Sequence, residues 1–273
     1  MPDGARDPGQ RAAARLLVRG SWPAPRLRTR FVASSHRLPA SCQEQVDDAW
    51  VTALAVPGVR LFNGALCRLE GHQADAQGLL LTLSRTTYKD YLGSNVHHAE
   101  WAAVHGAGVL ANPVGTSVAL RSSDGVLVFG VRSARVALYP GHAHPFGGTM
   151  EVPEPGREVD LIAEMAREIA EEAGIARHEL DDLRAIALGE DCALRQPELI
   201  YAARTRLTAA AIAARLDPEE HTACWMLRDE LSAIDGVLAG AAAVSPVLRA
   251  TLLAWGAERF GPQWLAQAVG QDR

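Results

Sequence analysis

The 273-residue sequence predicts an α/β protein, a layered α/β domain with an N-terminal α+β lobe in front of it. Three observations carry this. Strand-length apolar runs interleave with helical periodicity from Thr116 onward, the order that packs helices on a sheet. With 48% of residues hydrophobic, the chain can bury one large core or two smaller ones. The turn-forming run Asn112-Pro113-Val114-Gly115 separates a first group of elements from a second. The expected division is a flexible tail over 1–13, an N-terminal substrate-selecting lobe over 14–115 and a main domain over 116–273.

In the first lobe, Ala14–Val18 and Thr29–Ser34 read as short strands separated by Pro23 and Pro25. Ser41-Cys42-Gln43-Glu44 has the spacing of a capping box, predicting a helix to about Ala55 that Pro57-Gly58 closes. Gly78–Arg85 reads as a strand. It feeds the polar loop Thr86-Thr87-Tyr88-Lys89-Asp90-Tyr91-Leu92-Gly93-Ser94-Asn95 and a helix containing Trp101, for which Ser94 or Asn95 would be the cap. In the main domain, strands are expected at Ser117–Arg121, Gly125–Arg132, near Leu183–Leu188, at Glu198–Arg204 and at about Thr222–Arg228. Helices are expected after the glycine- and histidine-rich loop, after Thr208, and from Ser245-Pro246, an N-cap followed by an N1 proline, through Trp255.

A net charge of −5 gives no electrostatic footprint for nucleic acid or an anionic membrane, so affinity for phosphates must come from local groups. Cys42, Cys67, Cys192 and Cys224 lack metal-ligand spacing and read as reduced thiols. No apolar run reaches eighteen residues and the N-terminal segment has no apolar h-region, so a cytoplasmic protein without a membrane span is expected.

The densest chemistry lies at Arg167–Ile175, Arg-Glu-Ile-Ala-Glu-Glu-Ala-Gly-Ile. Average residue usage would produce this pattern at on the order of 10⁻⁸ per position. At about 100° per residue, Glu164, Glu168, Glu171 and Glu172 share one arc, and Ile162, Met165, Ala166, Ile169 and Ala173 form the adjoining apolar stripe. Like charges at i,i+4 cost a helix a few tenths of a kcal/mol each. A hard divalent cation held by these carboxylates would offset that, its shell completed by substrate phosphates. A solvated acidic face is the bland alternative. Gly174 supplies the left-handed C′ position that ends the helix.

With Gly147-Gly148 upstream, this segment resembles the right half of the Nudix box, G-x5-E-x7-R-E-U-x-E-E-x-G-U, of the Nudix hydrolases. The left half departs from the pattern. Gly148 lies five residues too far upstream, and the position eight before Arg167 is Val159 in place of the glutamate that helps hold the arginine in typical members. The resemblance implies a Nudix-type α/β/α sandwich around a mixed sheet, with Glu168, Glu171 and Glu172 as ligands of Mg2+, or Mn2+, and as catalytic residues, and with Arg167 orienting a glutamate. A stretched box is similar to the branch that cleaves UDP-glucose and UDP-galactose. The Thr86–Asn95 segment resembles that branch's T-x-Y-[KR]-D-[FY]-L-G-[ST]-N. The proline that marks ADP-ribose hydrolases would fall near Glu190, and the tyrosine of diadenosine polyphosphate hydrolases near Cys192; neither is present.

Further candidates surround this core. Lys89, the only lysine, could meet a phosphate as a point charge or simply be solvated. Tyr88 could stack on uracil or pack between lobes. Asn95 and Ser94 could present backbone N–H groups to an anion or merely cap. Arg132 ends the strand before the glycine loop and could reach a pyrophosphate. His144 could donate a hydrogen bond to substrate, whereas the His142/His144 pair lacks a third zinc ligand. Gly147 and Gly148 let the backbone approach a diphosphate. Glu151 is a possible extra acid, and Glu198 opens a strand, although both read equally as surface acids. The implied reaction is hydrolysis of a nucleotide sugar, UDP-sugar to UMP and sugar 1-phosphate. The alternatives are a nucleoside diphosphate hydrolase acting on a compound such as ADP-ribose, and a non-catalytic nucleotide-sugar sensor.

Overall fold

The computed structural model describes residues 13–56, 61–134, 136, 138–153, 159–240 and 242–270; most of the expected N-terminal tail and the Pro57-Gly58 stop lie outside them. In chain order the N-terminal elements are β1 (Ala14–Trp22), β2 (Leu27–Phe31), α1 (Ala40–Leu54), β3 (Ala65–Asp75), β4 (Gly78–Thr87), α2 (Tyr88–Tyr91) and α3 (Trp101–His105). Then follow β5 (Gly115–Arg121), β6 (Val126–Arg132), β7 (Ala143–His144), α4 (Leu161–Ala173), β8 (Leu180–Asp191), β9 (Gln196–Thr205), α5 (Ala209–Ala213) and β10 (His221–Arg228). The chain closes with α6 (Leu231–Ala239), α7 (Pro246–Phe260) and α8 (Pro262–Gly270).

The large sheet runs β1-β8-β9-β5-β6-β10 with β7 on β6, and only the β5/β9 pair within it is parallel. A small sheet runs β2-β4-β3. The amphipathic helix α4 buries Leu161, Ile162, Met165, Ala166, Ile169 and Ala173 on one side of the large sheet. Helix α7 covers the other side with Leu248, Leu252 and Trp255, completing the α/β/α layering. Burying side chains such as Met165 and Ile169, both fully enclosed, is worth about 1.5–3 kcal/mol each. That apolar anchorage holds the acidic side of α4 in place. Its ends are set locally. The Asp160 carboxylate accepts from the N–H of Ile162 and of Ala163 (3.1 and 3.0 Å), and Gly174 closes the helix at φ 62°, ψ 27°.

The structure corrects several expectations. β1 pairs with β8 in the large sheet, so Ala14–Trp22 belongs there and not to the N-terminal lobe. The β2 strand ends at Phe31, before Ser34. Helix α1 starts at Ala40 after Pro39 with no side-chain cap, because Ser41 already lies inside the first turn. Ser94 and Asn95 do not cap the Trp101 helix, which follows Glu100; they are buried in a π-helical turn over Leu92–Val96. The two lobes also share one core, in which Cys67, Leu79, Leu81 and Leu83 of the small sheet pack with Met150, Met165 and Ile169. Backbone bonds reinforce the join, Cys67 N–H to Met150 O and Met150 N–H to Val114 O, each 2.8 Å. Among the described residues, no helix is long and apolar enough to cross a membrane.

Candidate active site

A cavity of about 450 Å³ opens between α4, the 144–149 loop, the β8–β9 turn and the α2 loop. Glu168 and Glu172 reach it from α4 because i and i+4 project from the same side of a helix. Glu172 is buried and Glu168 half-buried. Burial pushes Glu168 up to about 7, helped by Glu172 and Glu171 and opposed by Arg167. Burial also raises Glu172, opposed by hydrogen bonds from His221 and the Gly147 N–H.

The turn facing them needs glycine. Gly147 has φ 155°, and a Cβ there would lie 1.8 Å from the Thr116 carbonyl oxygen. A Cβ on Gly148 would lie 2.5 Å from Glu168 Oε1. Gly147 N–H donates to Glu172 Oε1 at 3.2 Å, so turn and helix are tied. Arg132, ending β6, lines the same cavity; its Nε donates to Leu138 O at 2.8 Å, which fixes the guanidinium there. Burial lowers its pKa while Glu172 and Glu220 act the other way. His144 lies beside it within 2.8 Å of Ser245 Oγ, and burial holds its imidazole well below the usual value, hence neutral.

Of the residues singled out in the sequence, Tyr88, Arg132, His144, Gly147, Gly148, Glu168 and Glu172 line this cavity. Arg167, Lys89, Asn95, Glu151 and Glu171 do not. Glu171 points outward, 58% exposed, and accepts from Arg167 at 2.8 Å. Arg167 also binds Glu168 at 2.7 Å and Glu164 at 3.1 Å. The helix's own acids therefore replace the missing box glutamate. Val159, at that glutamate's position, is buried in the core, where a carboxylate would have no partner. Lys89 is ion-paired to Asp47 at 2.6 Å. Asn95 is fully buried, donating to Leu194 O at 2.9 Å and to Asn112 Oδ1 at 3.1 Å, a structural clasp. Glu151 is exposed, its backbone bridged to Leu66. Tyr88 is half-buried, edge-on to Trp50 (6.3 Å) and Tyr91 (6.1 Å), and lines the cavity. Glu198 is not a surface acid. It is 5% exposed, on the cavity wall, and burial pushes it up to about 8.

Sequence reasoning missed His221, Tyr139, Asp191, Gln196 and Glu220. His221 opens β10 with no motif around it, yet its Nε2 lies 2.8 Å from Glu172 Oε2. Among the described residues, His221 Nδ1 has no hydrogen-bond partner, and the ring is packed by Phe146 and the Gly130 backbone. The available signal for Asp191 and Gln196 was the polar turn between two apolar strands.

No three His, Cys, Asp or Glu side chains among the described residues gather as a ready metal cage. Of the expected glutamate trio, Glu168 and Glu172 line the cavity. Their two carboxyls, hard oxygen donors facing an open cavity, fit a hard divalent cation that takes its remaining oxygens from water and phosphate.

No family model matches the chain. It is 34% identical over 147 residues to the uridine diphosphate glucose pyrophosphatase NUDT22 of Mus musculus, covering 45% of this chain and 48% of that protein. Against the Homo sapiens protein of the same name it is 31% identical over 152 residues, 50% and 48% of the respective chains. The chain spans about half the length of these curated relatives. Solved structures similar to this chain include DR0079 from Deinococcus radiodurans, at 20% identity and TM-score 0.40, covering 51% of this chain and 80% of that one. A MutT protein from Methanosarcina mazei Go1 follows at 16% identity and TM-score 0.36, covering 54% and 94%.

Proposed function

We propose that the chain hydrolyses the diphosphate of a nucleotide sugar, UDP-glucose or UDP-galactose, to UMP and sugar 1-phosphate with a divalent cation, Mg2+ or Mn2+. The carrying observation is the pair Glu168, half-buried, and Glu172, buried, on one wall of a cavity that also holds Arg132 and the Gly147-Gly148 turn. The activity named for the curated relatives supports the substrate class. Residues of the small sheet and α2 form a substrate-selecting lobe in this reading, with β1 reassigned to the main domain.

Glu168 and Glu172 would hold the cation, which when bound polarises the diphosphate and lowers the pKa of the attacking water. Arg132 faces the developing phosphate charge with a guanidinium whose position is preset, so little reorganisation is needed. The Gly147-Gly148 backbone permits close approach that side chains would block. His221 and the Gly147 N–H hold the Glu172 carboxylate in one orientation. Arg167 holds Glu168 from the solvent side.

The test is chromatography of UDP-glucose, UDP-galactose and ADP-ribose after incubation with and without magnesium, for wild type and Glu168→Gln. UMP and sugar 1-phosphate should form only with the cation, and Glu168→Gln should lose at least about 100-fold in turnover with an unchanged circular dichroism spectrum. UDP plus free sugar would refute diphosphate cleavage. Faster ADP-ribose hydrolysis would move the substrate class, and tight binding without turnover would make the chain a sensor.

A further inference from the structure

The cavity wall farthest along β8 and β9 has no part in holding a cation, yet it is built as carefully as the acidic end. Asp191, 2% exposed, closes the β8–β9 turn by accepting from the N–H of Ala193 and of Leu194 (2.9 and 3.2 Å). Its second oxygen accepts from the Tyr139 hydroxyl at 2.6 Å. Gln196, 8% exposed, accepts the Tyr91 hydroxyl on Oε1 at 2.5 Å, so the donor face of its amide is what it can offer a bound molecule. Glu198 stands next to it with no ion-pair partner among the described residues; apart from its contact with Ser117, its carboxyl faces the cavity. The site makes room for that carboxyl, since a Cβ on Gly115 would lie 1.9 Å from Glu198 Oε2.

A buried carboxyl without a cation is costly unless a ligand supplies hydrogen bonds. A protonated carboxyl and an amide together present donors and acceptors side by side, the complement of adjacent hydroxyl groups on a sugar ring. Burial keeps Glu198 in that form at neutral pH, pushing it up to about 8. We infer that Gln196 and Glu198, framed by Asp191 and Tyr139, form a hydroxyl-recognising subsite for the sugar joined directly to the diphosphate.

Adjacency favours that sugar over the ribose. Gly115, against which Glu198 packs, precedes Thr116, and Thr116 N–H donates to Gly148 O at 2.8 Å, in the turn that faces Glu168 and Glu172. In a hexose 1-phosphate the carbon bearing the 2-hydroxyl is bonded directly to the phosphate-bearing carbon, whereas in the nucleoside C4′ separates the phosphate-bearing 5′-carbon from the nearer hydroxyl carbon of the ribose. The inference rests on the nucleotide-sugar reading and adds the residues that select the sugar.

The experiment compares kcat/KM of the full chain for UDP-glucose and for the methyl ester of UDP, which keeps the diphosphate diester and lacks sugar hydroxyls. Wild type, Glu198→Leu and Glu198→Gln are measured with magnesium, and 2′,3′-dideoxy-UDP-glucose serves as a third substrate. The UDP-glucose to methyl ester ratio should fall roughly 10- to 100-fold in Glu198→Leu and stay within about threefold of wild type in Glu198→Gln, which retains a donor and an acceptor. Equal losses on both compounds would overturn the subsite. So would a Glu198→Leu defect that disappears with the dideoxy substrate, which would assign the wall to ribose. If wild type turns over neither compound, the hydrolase reading falls, and calorimetric titration with the same two compounds decides the subsite: a loss confined to UDP-glucose supports it, and unchanged binding overturns it.

Discussion

Removing His221 should reveal how the Glu172 carboxylate is held. His221 is 4% exposed and Glu172 9% exposed, and Nε2 and Oε2 lie 2.8 Å apart. Among the described residues the carboxylate's other hydrogen bond comes from the Gly147 N–H, at the longer 3.2 Å. The Nε2 side of the ring faces the carboxylate, and an N–H there donates to Glu172 Oε2. A hydrogen bond from that N–H to a buried carboxylate is worth about 1.5–3 kcal/mol. His221→Leu keeps the volume under Phe146 but strands Oε2, so the single substitution should cost about 2–4 kcal/mol. Urea unfolding followed by tryptophan fluorescence at neutral pH, without divalent ions, measures it. The double-mutant cycle with Glu172→Leu isolates the pair. A coupling of about 1.5–3 kcal/mol is expected, with the double variant more stable than the sum of singles. A coupling below about 0.5 kcal/mol would show that the contact carries no energy and that Glu172 is oriented by the turn alone.

Two further outcomes follow from the same geometry. Glu168 and Glu198 have native pKa values raised to about 7 and about 8 by burial, so the folded chain holds their protons more tightly than the unfolded chain. The stability they confer is fully present below the ordinary carboxyl value and is lost as pH rises through 7 and then 8. Thermal unfolding of the cation-free protein should show this decline, and Glu198→Gln should flatten its upper part by about 1–3 kcal/mol; parallel profiles would contradict a buried, uncompensated Glu198. Tyr88→Ala should weaken UDP-sugar binding by roughly 5- to 150-fold in calorimetry with magnesium affinity almost unchanged. Unaltered UDP-sugar affinity would reduce Tyr88 to its packing between Trp50 and Tyr91.

The sequence by itself determined the elements and the chemistry that depend on local order. Arg167–Ile175 predicted the acidic helix, its apolar stripe and its Gly174 stop because helical period and C-cap geometry are properties of consecutive residues. Ser245-Pro246 and Thr208 likewise fixed helix starts that the structure contains. Tertiary structure decided what depends on distant pairings. The spacing of Ser41 to Glu44 matches a capping box, but Pro39 already starts that helix. β1 joined the large sheet because its hydrogen-bond partner lies in β8, more than 160 residues away in sequence. Periodicity put Glu171 in the same arc as Glu168 and Glu172; packing turned that arc so that Arg167 and Glu171 meet solvent while the other two meet the cavity. His221 carries no local signature, because a buried polar side chain acts through the partner the fold brings to it, here Glu172. Val159 shows the converse: the residue that breaks the box pattern is the one the core required at that place, and Glu164 of the same helix supplies an additional contact to Arg167.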